Sequence, residues 1–400
     1  MKIEINKTLI SITFILLIFR TTLSLLSSFL AYLPLAIGTI IIIKNYMFSV
    51  LNQSRKSFIL IFSLIIYFTF LIFCYPLLST YSGFFIPILG ALQYLFPILF
   101  WSSFFLLNKE KADSYFSFFT KIFCNLALFV AIFAYVQYFF SNNLFGLIVS
   151  DVYAPIDGEI NVNVTKRAIS FISSPQSLGL FLASAFCIQL ACFKNSFLNA
   201  MKLFLILGAG VLTGSKAFMI FILVFLALNT FRFFPRFFLM LPILLFGFYF
   251  LFPYIDIDTL ERYGYIITRI LLISEYNTFQ IWVSYLQYPS NFFHFLFGHG
   301  LGVAGQAAQS FYNYKILTGS TESFLIQLYF ETGFLMTLAF ITFYFICVFK
   351  CFFTNEIKPL GSILIASFFV IIGTPAFFGF VNSFWLWSIL IYVACWKRDE

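Results

Sequence analysis

The sequence predicts an all-α polytopic integral membrane protein, and three observations carry that prediction. Of its 400 residues 62% are hydrophobic and only 10% charged, with a mean hydropathy of +0.99. A soluble domain carries about 25% charged residues and about 45–50% apolar ones. The apolar residues fall in long uncharged runs, and about 20 such residues let a helix cross the hydrocarbon core. The 23 Lys and Arg, which leave a net charge of +8, sit between those runs and never in a block. That is the distribution the positive-inside rule produces, not a nucleic-acid patch. A cytoplasmic enzyme, a secreted disulfide scaffold and a DNA-binding domain are all excluded on these grounds.

Taken in order, Lys2, Glu4 and Lys7 precede an apolar stretch from Thr8 to Ile43 that is far longer than a signal-peptide core and lacks a small-residue cleavage site. It reads as a retained anchor. The runs predict helices near 8–25, 27–43, 58–75, 84–107, 118–140, 175–193, 203–213, 216–231, 237–253, 321–349, 360–378 and 382–396, twelve in all. The stretch 203–231 is ambiguous, because Leu203 to Thr213 would rise only about 17 Å against a core of roughly 30 Å. It is either a shallow hairpin or one long helix. With a hairpin and a cytoplasmic N-terminus, 16 of the 23 basic residues lie inside and 7 lie outside or in the membrane. Merging it into one span changes the split to 13 and 10. The positive-inside rule therefore favours the hairpin, with both termini cytoplasmic and residues 254–320 outside.

The chain then divides into 1–253, nine spans with a short external loop near 141–174; 254–320, a long external loop; and 321–400, the last three spans. Within the loop, Ile266 to Tyr288 carries Ile267, Ile270, Leu271, Ile281, Trp282 and Tyr285, which suits a helix in the membrane interface. The seven cysteines lie in or beside spans without a CxxC spacing, so neither a disulfide framework nor a zinc site is predicted. The 63 Phe read as biased codon usage tolerated by lipid rather than as a functional signal.

Three places on the outer side pair a charge with a helix start. Arg167 precedes Phe171-Ile172-Ser173-Ser174-Pro175, in which Ser174 is a good N-cap and Pro175 a good first helical residue. Leu212-Thr213-Gly214-Ser215-Lys216 forms a tight turn that opens the next helix, with Lys216 held below the membrane surface. Gly319-Ser320-Thr321-Glu322 supplies Ser320 or Thr321 as cap for a helix beginning at Glu322. Helix N-termini with nearby cations can hold an anion, and three on one leaflet would suit a diphosphate. Basic residues at helix ends also snorkel without any ligand, and that alternative stands.

Glu322 and Glu331, nine residues apart, point to opposite faces of one helix about 13 Å apart along its axis. Glu322 can reach water at the mouth, whereas Glu331 reads as a buried, hydrogen-bonded packing group beside Thr332 and Gly333. Arg262 and Arg269 share a face if their stretch is helical; they either clamp a phosphate or pair with Glu261 and Asp258. His299 sits in Phe297-Gly298-His299-Gly300-Leu301-Gly302, where glycine lets backbone approach a ligand. It is either a loop-ordering hydrogen-bonder or a catalyst. The chain has no GxSxG, P-loop, HExxH or metal-dependent paired-acid motif, and the glycine run lacks the βαβ context of a dinucleotide site.

At these residues the chain resembles the O-antigen polymerase and O-antigen ligase superfamily of bacterial membrane enzymes. Members show an Arg before a small-residue and Pro/Asn turn, matched by Arg167-Ala168 through Ser174-Pro175-Gln176-Ser177-Leu178-Gly179. Their Leu-Thr-Gly-Ser-Arg turn is matched by Leu212 to Lys216, with Lys in place of Arg. A Gly-x-Gly-x-Gly-like run closing the outer loop is matched by Gly298 to Gly302. The helix that follows is matched by Glu322-Ser323-Phe324-Leu325 and Glu331-Thr332-Gly333. The resemblance covers about 165–345 in the right order. The ligase branch usually carries His-Asn where Glu322-Ser323 stands, so the polymerase branch is the closer one. Members also carry an Arg a few residues before the outer-loop Trp; here Thr278 stands four before Trp282.

The resemblance implies a GT-C-like fold of about twelve spans in the bacterial plasma membrane. It implies a metal-independent, inverting glycosyl transfer between two undecaprenyl-diphosphate-linked oligosaccharides on the outer face, with a chain-length regulator as a further partner and no cofactor. On that reading Arg167, Lys216 and Arg262 or Arg269 would stabilise the leaving diphosphate. Glu322 would take the proton from the attacking sugar hydroxyl, with His299 orienting it.

Overall fold

The computed structural model describes residues 2–49, 55–74, 85–107, 109–140, 143–144, 147–148, 167–172, 174–191, 196–229, 277–288, 291–304, 321 and 323–396. Apart from a two-residue antiparallel pair, β1 (Asn143–Leu144) with β2 (Leu147–Ile148), its regular structure is helical. In chain order the helices are α1 (Lys2–Ile18), α2 (Arg20–Leu26), α3 (Leu33–Ser49), α4 (Arg55–Phe73), α5 (Phe85–Phe105), α6 (Ala112–Phe139), α7 (Pro175–Ala191) and α8 (Phe197–Leu212). They continue with α9 (Lys216–Asn229), α10 (Asn277–Leu286), α11 (Phe292–Phe297), α12 (Phe324–Phe352), α13 (Lys358–Gly373) and α14 (Phe380–Cys395). Each apolar run of the sequence except 237–253, which lies outside the described residues, coincides in its described part with helix, 8–25 being divided between α1 and α2.

Among the described residues, four helical stretches are long and apolar enough to cross a membrane: Leu30–Met47, Ile86–Phe105, Lys109–Phe139 and Phe324–Phe352. A fifth is added if α1 and α2, bent by 64° at one break, form a single span. At that break Arg20 donates from Nε to the Ala31 carbonyl at 3.0 Å and lies over the Tyr32 ring. Shorter apolar helices such as α7, α8, α9, α13 and α14 accompany them. The chain is a helical membrane protein.

The ambiguous stretch 203–231 is two helices, not one. α8 starts at Phe197, earlier than the hydropathy run, because Ser196 caps it by accepting from the Asn199 amide at 3.3 Å. Its 16 residues rise about 24 Å. It ends at Leu212, and Gly214 takes φ of +52°, a left-handed conformation suited to glycine at a helix end. A Cβ on Gly210 would lie 2.0 Å from the Phe218 ring; residues eight apart in a continuous helix would be about 12 Å apart along the axis. The chain therefore reverses at the turn.

Two compact units can be described separately. The first comprises 1–34, 118–272 and 362–370, the second 35–117, 273–361 and 371–400. Aromatic side chains fill both. In the first, Phe14 packs edge-on to Phe119 at 5.1 Å, and Phe123 does the same to Phe181 at 5.0 Å. In the second, Trp101 lies 4.9 Å from Phe384 and donates its indole N–H to the Phe384 carbonyl at 2.7 Å, joining α5 to α14. Among helices in lipid, such packing and hydrogen bonding replace the hydrophobic drive. Part of the phenylalanine excess thus forms the interior, while residues such as Phe73 and Phe349 remain on the outside.

Candidate functional site

In the first unit, Arg167 is 5% exposed and donates from Nε to the Thr213 carbonyl at 2.9 Å and from Nη2 to the Gly214 carbonyl at 3.2 Å. These carbonyls end α8, where the helix dipole is negative, so a buried guanidinium is well matched there. The segment after it is fastened on both sides. The Ala168 amide donates to the Leu212 carbonyl at 3.2 Å, and the Ile169 and Ser170 amides donate to Gln137 Oε1 at 3.1 and 2.8 Å. Ser170 is held at φ of +48°, rare for a non-glycine residue, and its hydroxyl donates to the Val130 carbonyl at 3.0 Å. Phe171 packs on Phe133 at 4.0 Å.

Ser174 accepts from the Ser177 amide at 3.1 Å and opens α7 at Pro175. A Cβ on Gly179 in that helix would meet Ser215 Cβ at 2.6 Å and Thr213 Oγ1 at 2.9 Å. The structure therefore brings together Arg167, the start of α7 and the 212–216 turn, the first two of the three places marked by the sequence. Lys216 is half-buried at the start of α9.

In the second unit the long helix α12 is interrupted at Gly333, whose φ and ψ are +79° and −178°. A break frees carbonyls that would otherwise receive helix amides. The Phe330 carbonyl accepts from the His299 amide at 2.7 Å, and the Thr332 carbonyl accepts from the Tyr67 hydroxyl at 2.8 Å. The glycine run lies directly against this break. A Cβ on Gly298 would lie 2.5 Å from the Glu331 carbonyl group, and one on Gly333 would lie 2.3 Å from Leu296 O.

Glu331, 1% exposed, faces that run. Its Oε2 accepts from the Tyr94 hydroxyl at 2.8 Å, and its Oε1 accepts from Gln327 Nε2 at 3.0 Å and the Ala304 amide at 3.2 Å. The Gly302 amide donates to it as well. The His299 ring stacks on Phe330 at 4.4 Å and on His294 at 4.6 Å, with Tyr288 edge-on at 5.0 Å. Burial first, and His294 second, push the His299 imidazole down to about 4. Helix α10 covers this region by burying Tyr285 against Phe330 at 4.9 Å, within a cluster that includes Val303 and Ala304. Of the interfacial helix expected over 266–288, residues 266–276 lie outside the described residues, and Asn277–Leu286 is helical and docks on α12.

The cap of α12 differs from the expectation of Ser320 or Thr321. Ser323 caps it, accepting from the Ile326 amide at 3.4 Å, and the helix begins at Phe324. The Thr321 hydroxyl is directed elsewhere, to the Ser323 carbonyl at 3.2 Å and Gln327 Oε1 at 3.4 Å. Glu322, Arg262 and Arg269 lie outside the described residues. Gln327, Tyr94 and Gln137 were not singled out from the sequence. Gln327 carried a readable signal, since four residues before Glu331 is the same helix face. Tyr94 and Gln137 carried none, because their partners are distant in the chain. Among the described residues no cluster of His, Cys, Asp or Glu could hold a metal ion.

Comparison with protein-family models and with curated proteins returns no match for this chain.

Proposed function

We propose that this protein is a surface-polysaccharide repeat-unit polymerase of the bacterial plasma membrane, with twelve spans, a GT-C-like arrangement and both termini in the cytoplasm. One observation carries the reading. The four motif segments behind the resemblance pack in pairs, Arg167 with the 212–216 turn and the 298–302 run with Glu331-Thr332-Gly333. In the reaction, the anomeric carbon of one undecaprenyl-diphosphate-linked oligosaccharide loses its bond to the phosphate oxygen and gains one to a hydroxyl of a second repeat unit. The hydroxyl proton passes to Glu322, and undecaprenyl diphosphate leaves as an anion near Arg167, Lys216 and a loop arginine. His299 orients the base. A chain-length regulator is the expected protein partner.

Deleting the gene in its host should leave surface lipid carrying single repeats instead of a ladder, and an unchanged ladder would refute the reading. Glu322→Gln should abolish elongation with the protein still present; full activity would remove Glu322 as base. A ligase, which moves finished glycan to lipid A core, would when deleted leave long chains on the carrier lipid. A second reading, a flippase for lipid-linked sugars, draws on the placement of Arg20 and Glu331 at helix breaks, since interrupted helices often line transport sites. A flippase mutant accumulates repeats on the cytoplasmic leaflet, which separates it from the polymerase.

A further inference from the structure

Glu331 has no part in the proposed chemistry, yet it is the most deeply buried acidic residue described and every partner it has is a donor. Tyr94, Gln327, and the amides of Gly302 and Ala304 all direct hydrogens at its two oxygens. Among the described residues all these partners are neutral. A buried carboxylate without a cation is costly and needs such a donor set to persist. Tyr94 belongs to α5, and the other three partners come from two stretches on either side of residues 305–320. Gly302 and Ala304 close the His299 turn on one side. On the other, Gln327 continues the network to Thr321, whose hydroxyl also donates to the Ser323 carbonyl. Thr321 and Ser323 are the chain neighbours of Glu322. The His299 amide is held one residue before Glu331, on the Phe330 carbonyl.

We propose that Glu331 is a positioning residue, a clasp whose carboxylate holds the His299 turn and the Thr321–Ser323 stretch against the break in α12 so that both ends of the outer segment are set for glycan transfer. The inference rests on the polymerase reading for what is being positioned, but the clasp itself is a property of this chain. Replacing the carboxylate by an amide keeps the volume and sets an N–H group against existing donors, leaving at least one of them without an acceptor.

The test uses the full-length protein in lipid nanodiscs, with hydrogen exchange read on peptides covering 298–304, 323–331 and α14, and elongation of lipid-linked repeat units measured in parallel. For Glu331→Gln, exchange at 298–304 should rise about tenfold while α14 is unchanged. The kcat for elongation should fall about tenfold with KM within about twofold, because substrate contacts are kept and alignment is lost. Unchanged exchange overturns the clasp, and raised exchange with unchanged kcat overturns the positioning role. If Glu331→Gln does not fold, Tyr94→Phe removes a single donor and should raise the same exchange about threefold; no rise overturns the proposal. If the wild-type protein elongates nothing, the polymerase reading falls, and the exchange arm alone still decides the clasp.

Discussion

Arg167 is bound through two donors to the carbonyls of Thr213 and Gly214, and charge-assisted hydrogen bonds of this kind contribute about 1.5–3 kcal/mol each. Arg167→Ala should therefore destabilise the folded protein by about 3–6 kcal/mol, measured as unfolding in detergent. Arg167→Lys should recover less than half of that loss, because the ammonium is more strongly hydrated than the guanidinium, costs more to bury, and lacks its planar fork. An unchanged unfolding midpoint in the alanine variant would remove the guanidinium from the support of this turn. His299 supports a pH prediction. Its folded value of about 4 lies below the ordinary 6.5, so the unfolded chain binds the proton first as pH falls. Stability should be fully present above about 6.5 and decline between about 6.5 and about 4. Melting in detergent across that window checks the sign, and His299→Phe, which keeps a ring on Phe330 but cannot titrate, should flatten it.

The decisive feature at the level of elements is the break in α12. Gly333 sits at φ of +79°, and a Cβ there would lie 2.3 Å from Leu296 O and 2.5 Å from the Phe297 amide nitrogen. Backbone atoms cannot move aside as a flexible side chain can, and a non-glycine residue is also strained at this φ. Gly333→Ala should therefore expel the 296–304 stretch and reduce recovery of monodisperse protein about tenfold or more. Gly298→Ala should do the same, with its Cβ 2.5 Å from the Glu331 carbonyl group. Gly373→Ala is the contrast: nothing lies within 4 Å of its Cβ, so recovery should be equal or slightly better. The α8–α9 turn follows similar logic. The charge count pointed to a reversal there, and the approach of Phe218 to Gly210 is how the chain makes it.

For the molecule as a whole, the distribution of basic residues predicts that reporter fusions will place residues 254–320 outside and both termini inside, with twelve crossings. A cytoplasmic reporter signal from 254–320 would place Arg262 and Arg269 in the wrong compartment for an outer-face diphosphate. Much of the architecture was readable beforehand. The class, the uncharged runs and even the Ser174-Pro175 helix start are local properties, since hydropathy over about 20 residues and a cap's own hydroxyl need no distant partner. Helix ends were less legible, because caps such as Ser196 and Ser323 extend or trim a helix beyond its hydropathy run. The amino-acid order by itself determined that this is a helical membrane protein, because a backbone crossing lipid must satisfy its own polar groups and only long apolar runs can do so as helices. Only the tertiary structure decided which polar side chains pair with which groups. Glu331 meets Ala304 across 27 residues and Tyr94 across 237, and Arg167 meets Thr213 across 46. Such partners are chosen by helix packing and by the break at Gly333, which no local pattern encodes.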